Sequence, residues 1–492
     1  GRVSREAETE LSMKVLVANR GEIAVRILRT LKEMSIPGVA VYTEPDRGAP
    51  HVDLADEAVA LGDPGQYLSI PALIAAARQV GATAVHPGYG FLSQSAAFAR
   101  ACESAGLTFI GPSAESMELL GDKRASRATA EKLGVPVIPG AREIDRLEAA
   151  EEAAERIGYP VLLKAAGGGG GKGMRLVPNR AELKEAHGAA RREAKTAFAD
   201  DRLILEKVVS PARHVEVQIL GDGRMAVALG ERECSLQRRY QKVIEEAPAS
   251  RIGETLRQGL SNSAVQLARE ARYRSAGTVE FLVGPDGSFY FLEVNTRLQV
   301  EHAVTEMVCG LDLVQSQIAV AQGAALPAPV APRGHAIEAR LNAEDPYRDF
   351  LPQSGPILML HWPQQPGLRI DAGVREGQRV PADYDSLLAK LIAWGADREQ
   401  ARRRLVEALR ELVLLGPVTN QSFLLQILES DAFRKGETYT TTLEERVWEM
   451  PTLPEEVLAA ARAWMSLEAP ARAQEGSVPG PWEGLGGFRV GG

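Results

Sequence analysis

A chain of 492 residues is too long for one hydrophobic core and calls for about three domains. Apolar residues make up 45% and charged residues 25%, an ordinary globular composition, and the formal net charge of −8 speaks against general nucleic-acid affinity while leaving room for local basic pockets. Cys102, Cys234 and Cys309 are scattered without metal-type spacing or a disulfide pattern, and no apolar run approaches the roughly 20 residues that span a bilayer, so a reducing compartment and no membrane partner are expected.

Gly1 to Ser12 mix Arg and Glu without an apolar core and read neither as a signal peptide nor as a transit peptide. Met13 directly precedes a strand-like run, so residues 1–12 are expected to be a disordered tail or an expression remnant. Residues 14–18 read as a buried strand, 21–34 as a helix with Ile23, Ile27, Leu28 and Leu31 on one face, and 38–42 as the next strand, together a βαβ unit. Its turn, Asn19-Arg-Gly-Glu22, lacks the G-x-G-x-x-G fingerprint, which argues against a nicotinamide cofactor. Helix 71–80, strand 82–85, helix 95–105 and a strand at Phe109-Ile110 continue the alternation, so residues 13–122 are expected to form a parallel α/β domain. Within it, His86-Pro-Gly-Tyr-Gly-Phe-Leu-Ser93 lies at the carboxyl end of a strand, where open α/β sheets carry ligand sites, although a purely structural turn fits equally well.

Residues 122–158 look helical, interrupted near Gly134-Val-Pro-Val-Ile-Pro-Gly140. The strand Val161-Leu-Leu-Lys164 then runs into Gly167 to Gly171, Lys172-Gly173 and a second strand, Met174-Arg-Leu-Val177. This fails the phosphate-loop pattern twice: position 166 is Ala, and Gly173 stands where Ser or Thr is required. Five consecutive glycines cost roughly 0.5–1 kcal/mol each to order relative to Ala. A loop of that kind between two apolar strands reads as a lid whose amides close on phosphates, with Lys164 as a phosphate partner and a flexible linker as the bland alternative.

Residues 203–209 and 214–220 read as strands. The charged run Glu231 to Lys242 is placed between strands, either as a solvated face or as a source of cations for an anionic substrate. Residues 278–283 and 288–294 form a hairpin around Gly284-Pro-Asp-Gly287. With Val283 opposite Ser288, an even loop would put Glu280, Glu293 and Asn295 on one face, the carboxylates diagonal to each other. Such a pair needs a cation, and hard oxygen ligands suit Mg²⁺ or Mn²⁺ carrying nucleotide phosphates. The stripe continues in Phe291-Leu-Glu-Val-Asn-Thr-Arg-Leu-Gln-Val-Glu-His302, which in extended form would show Glu293, Asn295, Arg297, Gln299 and Glu301 on one face and Leu292, Val294, Leu298 and Val300 on the other. The remainder holds a strand at Ile337-Glu-Ala-Arg-Leu341, a turn-rich region to about 385, a helix at 397–413 and another after Asn420. After Pro454 an Ala-rich helical piece ends in Gly/Pro-rich residues 475–492, expected to be a linker or the start of a further domain.

Four motifs in this order carry a specific resemblance: His86 to Ser93, Lys164-Ala-Ala-Gly-Gly-Gly-Gly-Gly-Lys-Gly-Met174, Gln237-Arg-Arg-Tyr-Gln-Lys-Val-Ile-Glu-Glu-Ala-Pro248, and Glu293-Val-Asn-Thr-Arg-Leu-Gln-Val-Glu-His302. The chain resembles the biotin carboxylases of the ATP-grasp superfamily over roughly residues 13–450. Pro481-Trp-Glu-Gly-Leu-Gly-Gly-Phe-Arg489 is similar, more weakly, to the segment after the carboxylase domain in acyl-CoA carboxylase α subunits. The implied fold class is α/β, α+β overall: the parallel domain 13–122, an ATP-grasp domain 123–330 with lid 140–210, and a biotin carboxylase C-terminal domain 331–450, followed by residues 451–492.

The resemblance implies that ATP and bicarbonate give carboxyphosphate, whose CO₂ is taken by N1 of biotin on a carrier. By the same resemblance Lys123, Lys164, the Gly170 and Gly171 amides, Glu206, Lys207, Val208, Val209, His214, Gln237, Glu280 and Glu293 hold ATP. Glu280, Glu293 and Asn295 hold Mg²⁺ or Mn²⁺, at two sites. Lys242, Arg297, Gln299, Val300 and Glu301 fix bicarbonate with Glu301 as its base, and Arg340 and Tyr89 meet biotin, Arg340 at the enolate. Implied partners are a biotin carboxyl carrier domain or protein, a carboxyltransferase subunit and a second copy in a homodimer or larger complex; the implied location is the cytoplasm, or the mitochondrial matrix for a eukaryotic source. Tyr240 departs from the His that many members carry, and no Met-Lys-Met motif occurs, so biotin is expected on another chain or a lost portion of this one. The alternatives are the biotin carboxylase component of a pyruvate-type carboxylase, another ATP-grasp ligase joining a carboxylate to an amine, which has no need of Arg297, Glu301 and Arg340 together, and a catalytically silent nucleotide-binding regulator.

Overall fold

The computed structural model describes residues 13–141, 144–165, 174–198, 201–239, 241–328, 330–452, 455, 456 and 459. The expected parallel α/β unit is present: five parallel strands in the order Glu57–Gly62, Gly38–Thr43, Val15–Val17, Ala84–His86, Thr108–Phe109. Val15, Leu16 and Val17 are all fully buried; Leu16 packs into one core and Val15 and Val17 into the opposite one. A sheet covered on both faces needs such an unbroken apolar run instead of alternation. At the carboxyl ends of two neighbouring strands, Asn19 Nδ2 donates to the Pro87 and Tyr89 carbonyls, both at 2.7 Å. Gly88 makes that approach possible, because it has φ +60° and a Cβ there would lie 3.0 Å from Asn19 and Ile23.

Residues 122–158 hold two helices, Lys123–Lys132 and Leu147–Ile157, separated as the glycines and prolines require. The strands Val161–Ala165 and Met174–Val177 pair antiparallel, as a flap hairpin demands, in a four-stranded sheet ordered Gly140–Ala141, Leu203–Lys207, Val161–Ala165, Met174–Val177. The five glycines between them, Gly170 and Gly171 included, lie outside the described residues, as do Tyr240 and most of the Ala-rich piece after Pro454.

The third sheet is the largest: Phe289–Asn295, Arg274–Val283, Arg213–Asp222, Ala226–Arg238, Gln241–Ala247, His335–Asn342, Leu387–Gly395 and Leu368–Ala372, every neighbour antiparallel. It draws strands from both sides of residue 330, so the side chains on one face come from distant parts of the chain. The turn-rich region before 385 contributes Leu368–Ala372 to it.

The fold departs from three local expectations. Residues 231–238 and 241–242 of the charged run lie within strands, not between them: Glu231, Arg232 and Glu233 are buried in Ala226–Arg238. The hairpin pairs Val283 with Phe289, not Ser288, and so closes over the odd loop 284–288. Gly284 N–H donates to the Ser288 carbonyl at 2.8 Å to close it. An odd loop alone would throw Glu280 and Glu293 onto opposite faces. A bulge at Leu292 shifts the register once more, setting Glu280 directly opposite Glu293 and Thr278 opposite Asn295. The stripe 291–302, finally, is not one strand: it is extended only to Asn295, runs irregularly through Val300, and turns into the helix His302–Cys309. Its apolar residues accordingly part company, Val294 packing into one core and Leu298 into that of the parallel domain.

Candidate active site

A cleft of about 1980 Å³ opens between the three sheets and is lined by Tyr89 from the parallel domain, by Lys164, Glu206, Lys207, Val208 and Val209, and by one face of the large sheet. On that face the register lays Arg232, Glu216, Glu280 and Glu293 side by side across four strands, since cross-strand partners share a face. Three of these are carboxylates, and the protein supplies cations around them. Lys242, from the strand Gln241–Ala247, places Nζ 2.5 Å from Glu216 Oε2, 2.9 Å from Glu280 Oε1 and 2.6 Å from Glu301 Oε1. Burial would lower the Lys242 pKa, but those three carboxylates outweigh it and hold it well above the ordinary lysine value. Arg232 Nε closes the other side of Glu216 at 2.6 Å.

Glu301 stands just before the helix His302–Cys309 and is fully buried. Its Oε1 meets Lys242, and its Oε2 lies 2.9 Å from Arg340 Nη2. Burial pushes its pKa up, while Lys242, Arg340 and Arg232 pull it well below the usual carboxylate range. Arg340 Nε also donates to Glu245 Oε1 at 2.5 Å. The Glu245 carboxyl is raised to about 7 by burial, in spite of Arg340.

Arg297 is held differently. Its Nη1 donates to Gln299 Oε1 at 2.7 Å and to the Leu298 carbonyl at 3.1 Å, and its Nη2 to Asn295 Oδ1 at 3.1 Å. Asn295 Nδ2 and Gln299 Nε2 in turn both donate to Glu280 Oε1 at 2.9 Å. Among the described residues the guanidinium is therefore oriented by neutral acceptors, with no carboxylate hydrogen-bonded to it. Burial lowers its pKa against the field of Glu301 and Glu280. A fixed cation lacking a contact anion, at a cleft wall, is a receptor for one.

At the other end of the cleft, Lys164 contacts Glu206, and Arg127 Nη1 lies 3.2 Å from the same carboxylate. Lys207 points its ammonium at the Gly158 and Tyr159 carbonyls, at 2.8 and 3.1 Å. Lys123 begins the helix Lys123–Lys132 and reaches Glu293 Oε2 at 3.0 Å with 79% of its side chain exposed. His214 Nε2 lies 3.0 Å from Glu280 Oε2, and its Nδ1 lies 2.9 Å from Gln237 Nε2. Tyr89 lines the cleft, and its hydroxyl is buried without a hydrogen-bond partner among the described residues. Lys242, Glu280, Asn295, Arg297, Gln299, Glu301 and Arg340 thus form one bonded network, while Lys123, Lys164, Glu206, Lys207, Val208 and Val209 approach it from the facing wall.

Three family descriptions match in succession: biotin carboxylase N-terminal domain over residues 12–117, carbamoyl-phosphate synthase L chain ATP binding domain over 122–329, and biotin carboxylase C-terminal domain over 338–445. The biotin carboxylase of Nostoc sp. is 48% identical over 440 residues, covering 88% of this chain and 98% of its own. The chain belongs to the biotin carboxylase family. Biotin carboxylases are ligases of the ATP-grasp type, and ATP-dependent carboxylation of biotin is the reaction of this chain. The α subunit of Dictyostelium discoideum mitochondrial methylcrotonoyl-CoA carboxylase is 42% identical, over 99% of this chain and 72% of its own. Among solved structures, the biotin carboxylase domain dimer of Hydrogenobacter thermophilus 2-oxoglutarate carboxylase, in complex with MgADP, ADP and bicarbonate, superposes with a TM-score of 0.81 at 43% identity, covering 89% of this chain and 99% of that one.

For a biotin carboxylase the donor set fits a hard divalent cation. Glu280 and Glu293 offer carboxylate oxygens across one strand pair, Asn295 offers an amide oxygen two residues along, and Glu293 is balanced only by the exposed Lys123 among the described residues. Sequence reading missed Glu216, Arg232 and Glu245. Glu216 was within reach, because it shares the face of His214 and Gln218 at period two. Arg232 was hidden in the charged run 231–242, whose strand character was not recognised, and Glu245 lay inside the motif Gln237 to Pro248 without a role assigned to it.

Proposed function

We propose that the track from Glu293 through Glu280 and Lys242 to Glu301 and Arg340 is the path along which ATP, bicarbonate and biotin meet. Lys123, Lys164, Glu206, Lys207, Val208, Val209, His214 and Gln237 hold the nucleotide, with the Gly170 and Gly171 amides closing over its phosphates. Glu280, Glu293 and Asn295 hold Mg²⁺ or Mn²⁺, which supplies neutralisation of phosphate charge when bound. Arg297, Lys242, Gln299 and Val300 receive bicarbonate, and Glu301 takes its proton. A Glu301 carboxylate is a weak base while Lys242 and Arg340 both hold it, so an incoming anion that draws those cations to itself also frees the base. Carboxyphosphate then splits into CO₂ and phosphate, the phosphate takes the N1 proton of biotin as N1 attacks CO₂, Arg340 neutralises the ureido oxygen, and Tyr89 lines the cleft against the same substrate.

The observation that carries this reading is Glu301, fully buried and shared by Lys242 at 2.6 Å and Arg340 at 2.9 Å. A ligase joining a carboxylate to an amine would need the carboxylates at 280 and 293 but not this triad. The test is ADP release with and without bicarbonate, and with and without free biotin. Stimulation by both is expected, and a rate indifferent to either would overturn the reading.

Biotin reaches the cleft on a carrier domain or protein, and a carboxyltransferase subunit consumes carboxybiotin. Within that setting an acyl-CoA carboxylase α subunit is favoured over a pyruvate-type enzyme. The likeness to the Dictyostelium discoideum methylcrotonoyl-CoA carboxylase α subunit runs through 99% of this chain, and that to the rat, mouse and Glycine max α subunits covers 87%, beside 88% for the free-standing biotin carboxylase of Nostoc sp.. A second copy of the chain, as in the dimeric relative, belongs to the same proposal.

A further inference from the structure

Lys390 is fully buried on the strand Leu387–Gly395, at the meeting of three domains. Its neighbours across the strand pairs are Arg340 on one side and Asp371 on the other, so the three side chains leave the same sheet face in one row. Nζ donates to the Val300 carbonyl at 2.8 Å and lies 3.4 Å from Glu22 Oε2 and 3.7 Å from Asp371 Oδ2. Glu22 belongs to the first helix of the parallel domain, Gly21–Glu33, and neither of its buried oxygens has a hydrogen-bond donor among the described residues. Glu338, two residues before Arg340 on the same strand, likewise has both oxygens buried and without a hydrogen-bond partner among the described residues. Burial would lower the Lys390 pKa, but Glu22, Glu338 and Asp371 raise it above the ordinary value, so the side chain stays an ammonium.

A buried ammonium with surplus anions around it could have made a direct salt bridge its shortest contact. Instead its shortest contact is a backbone carbonyl in the irregular stretch Thr296–Val300, which no sheet ladder holds in place. That stretch carries Arg297, Gln299 and the Val300 amide. Fixing the carbonyl of Val300 fixes the peptide plane that leads into Glu301. The sheet register further ties this anchor to Arg340, one strand away.

We infer that Lys390 is a positioning residue for bicarbonate: by gripping the Val300 carbonyl from the C-terminal domain, it sets the loop 296–301 against Arg340. The inference rests on the proposed assignment of that loop to bicarbonate. It calls for no contact between Lys390 and any substrate.

The test compares wild type with Lys390→Met, and with the double variant Lys390→Met/Glu22→Gln, in which one buried carboxylate is neutralised together with the ammonium so that the net charge of the cluster is unchanged. Steady-state ADP release is titrated with bicarbonate at saturating ATP and with ATP at saturating bicarbonate. A loosened loop is expected to raise the KM for bicarbonate by about tenfold or more while leaving the KM for ATP within about twofold. The inference is overturned if a folded double variant shows a bicarbonate KM like that of wild type, or if both KM values move together, as a general loss of structure would cause. Failure of the wild-type enzyme to respond to bicarbonate would instead strike the functional reading itself, a separate result obtained before any variant is made.

Discussion

Glu216 and Glu280 face each other across adjacent antiparallel strands and share one cation, the Lys242 ammonium, at 2.5 and 2.9 Å. Lys242→Met removes the charge that three buried carboxylates have in common, and taking one partner from such a buried set costs about 3–5 kcal/mol. The pH dependence has a definite sign. Glu280 and Glu301 are both held below their ordinary pKa in the folded protein, so their contribution to stability is present above the unfolded value of about 4.3 and is lost as pH falls through the folded values. The deficit of Lys242→Met is therefore expected to hold from neutral pH down to about 4.3 and to shrink as pH falls below that value. Urea midpoints of both proteins across that range check this; a deficit that grows on acidification would contradict it.

Glu301→Gln keeps the volume and the hydrogen-bonding tip next to Lys242 and Arg340 but cannot take a proton. Bicarbonate-dependent ADP release should fall by about 10²–10⁴, the usual worth of a positioned base. Nucleotide affinity, measured calorimetrically with ADP, should stay close to that of wild type, because Glu301 lies beneath the cleft floor at 0% exposure. A collapse of nucleotide affinity would place Glu301 wrongly.

Arg340→Lys retains a cation and loses the planar fork that joins Glu245 and Glu301. Biotin-dependent turnover is expected to drop by about 10²-fold or more, the scale of losing one preorganised donor to a developing oxyanion. Slow bicarbonate-dependent ATP hydrolysis without biotin should survive, since the Glu293–Glu280–Lys242 end is untouched. Equal loss of both activities would assign Arg340 to bicarbonate instead.

Glu293→Gln removes one carboxylate from the pair set opposite each other by the bulge at Leu292. The magnesium concentration giving half-maximal turnover should rise about 10–100-fold, and excess chelator should silence both proteins. An unchanged magnesium profile would remove Glu293 from the metal site.

Glu245→Gln bears on a carboxyl with the opposite behaviour. Burial raises its pKa to about 7 in the folded protein, so as pH rises from the unfolded value toward 7 the unfolded chain loses its proton first and stability declines. Gln carries no such titration. Relative to wild type, the variant should gain urea resistance between pH 5 and 7.5, by an amount on the order of 3 kcal/mol or less.

Much of the site was readable because its chemistry is compact in sequence. Glu293, Asn295, Arg297, Gln299 and Glu301 fall within nine residues, and a chelating, clamping and proton-accepting set so spaced has few other uses. The parallel domain was equally legible, since Val15-Leu16-Val17 and its successors are apolar without alternation, as doubly covered strands must be. The hairpin was the place where local rules failed. The loop is odd and the expected pairing wrong, yet Glu280 and Glu293 still share a face, because an unforeseen bulge at Leu292 reverses the error.

The sequence by itself determined which residue types are present, in which order, and hence the family, the substrates' chemistry and the alternation of the first domain; these depend on neighbours within a dozen positions. Only the tertiary structure decided that the polar stripe breaks at Asn295, that Glu216 and Arg232 complete the row of charges, and that Lys390, ninety residues away, grips the carbonyl of Val300. Those relations arise from the register of an eight-stranded antiparallel sheet whose strands come from either side of residue 330. Register is set by bulges, loop parity and the packing of distant cores, none of which a local pattern contains.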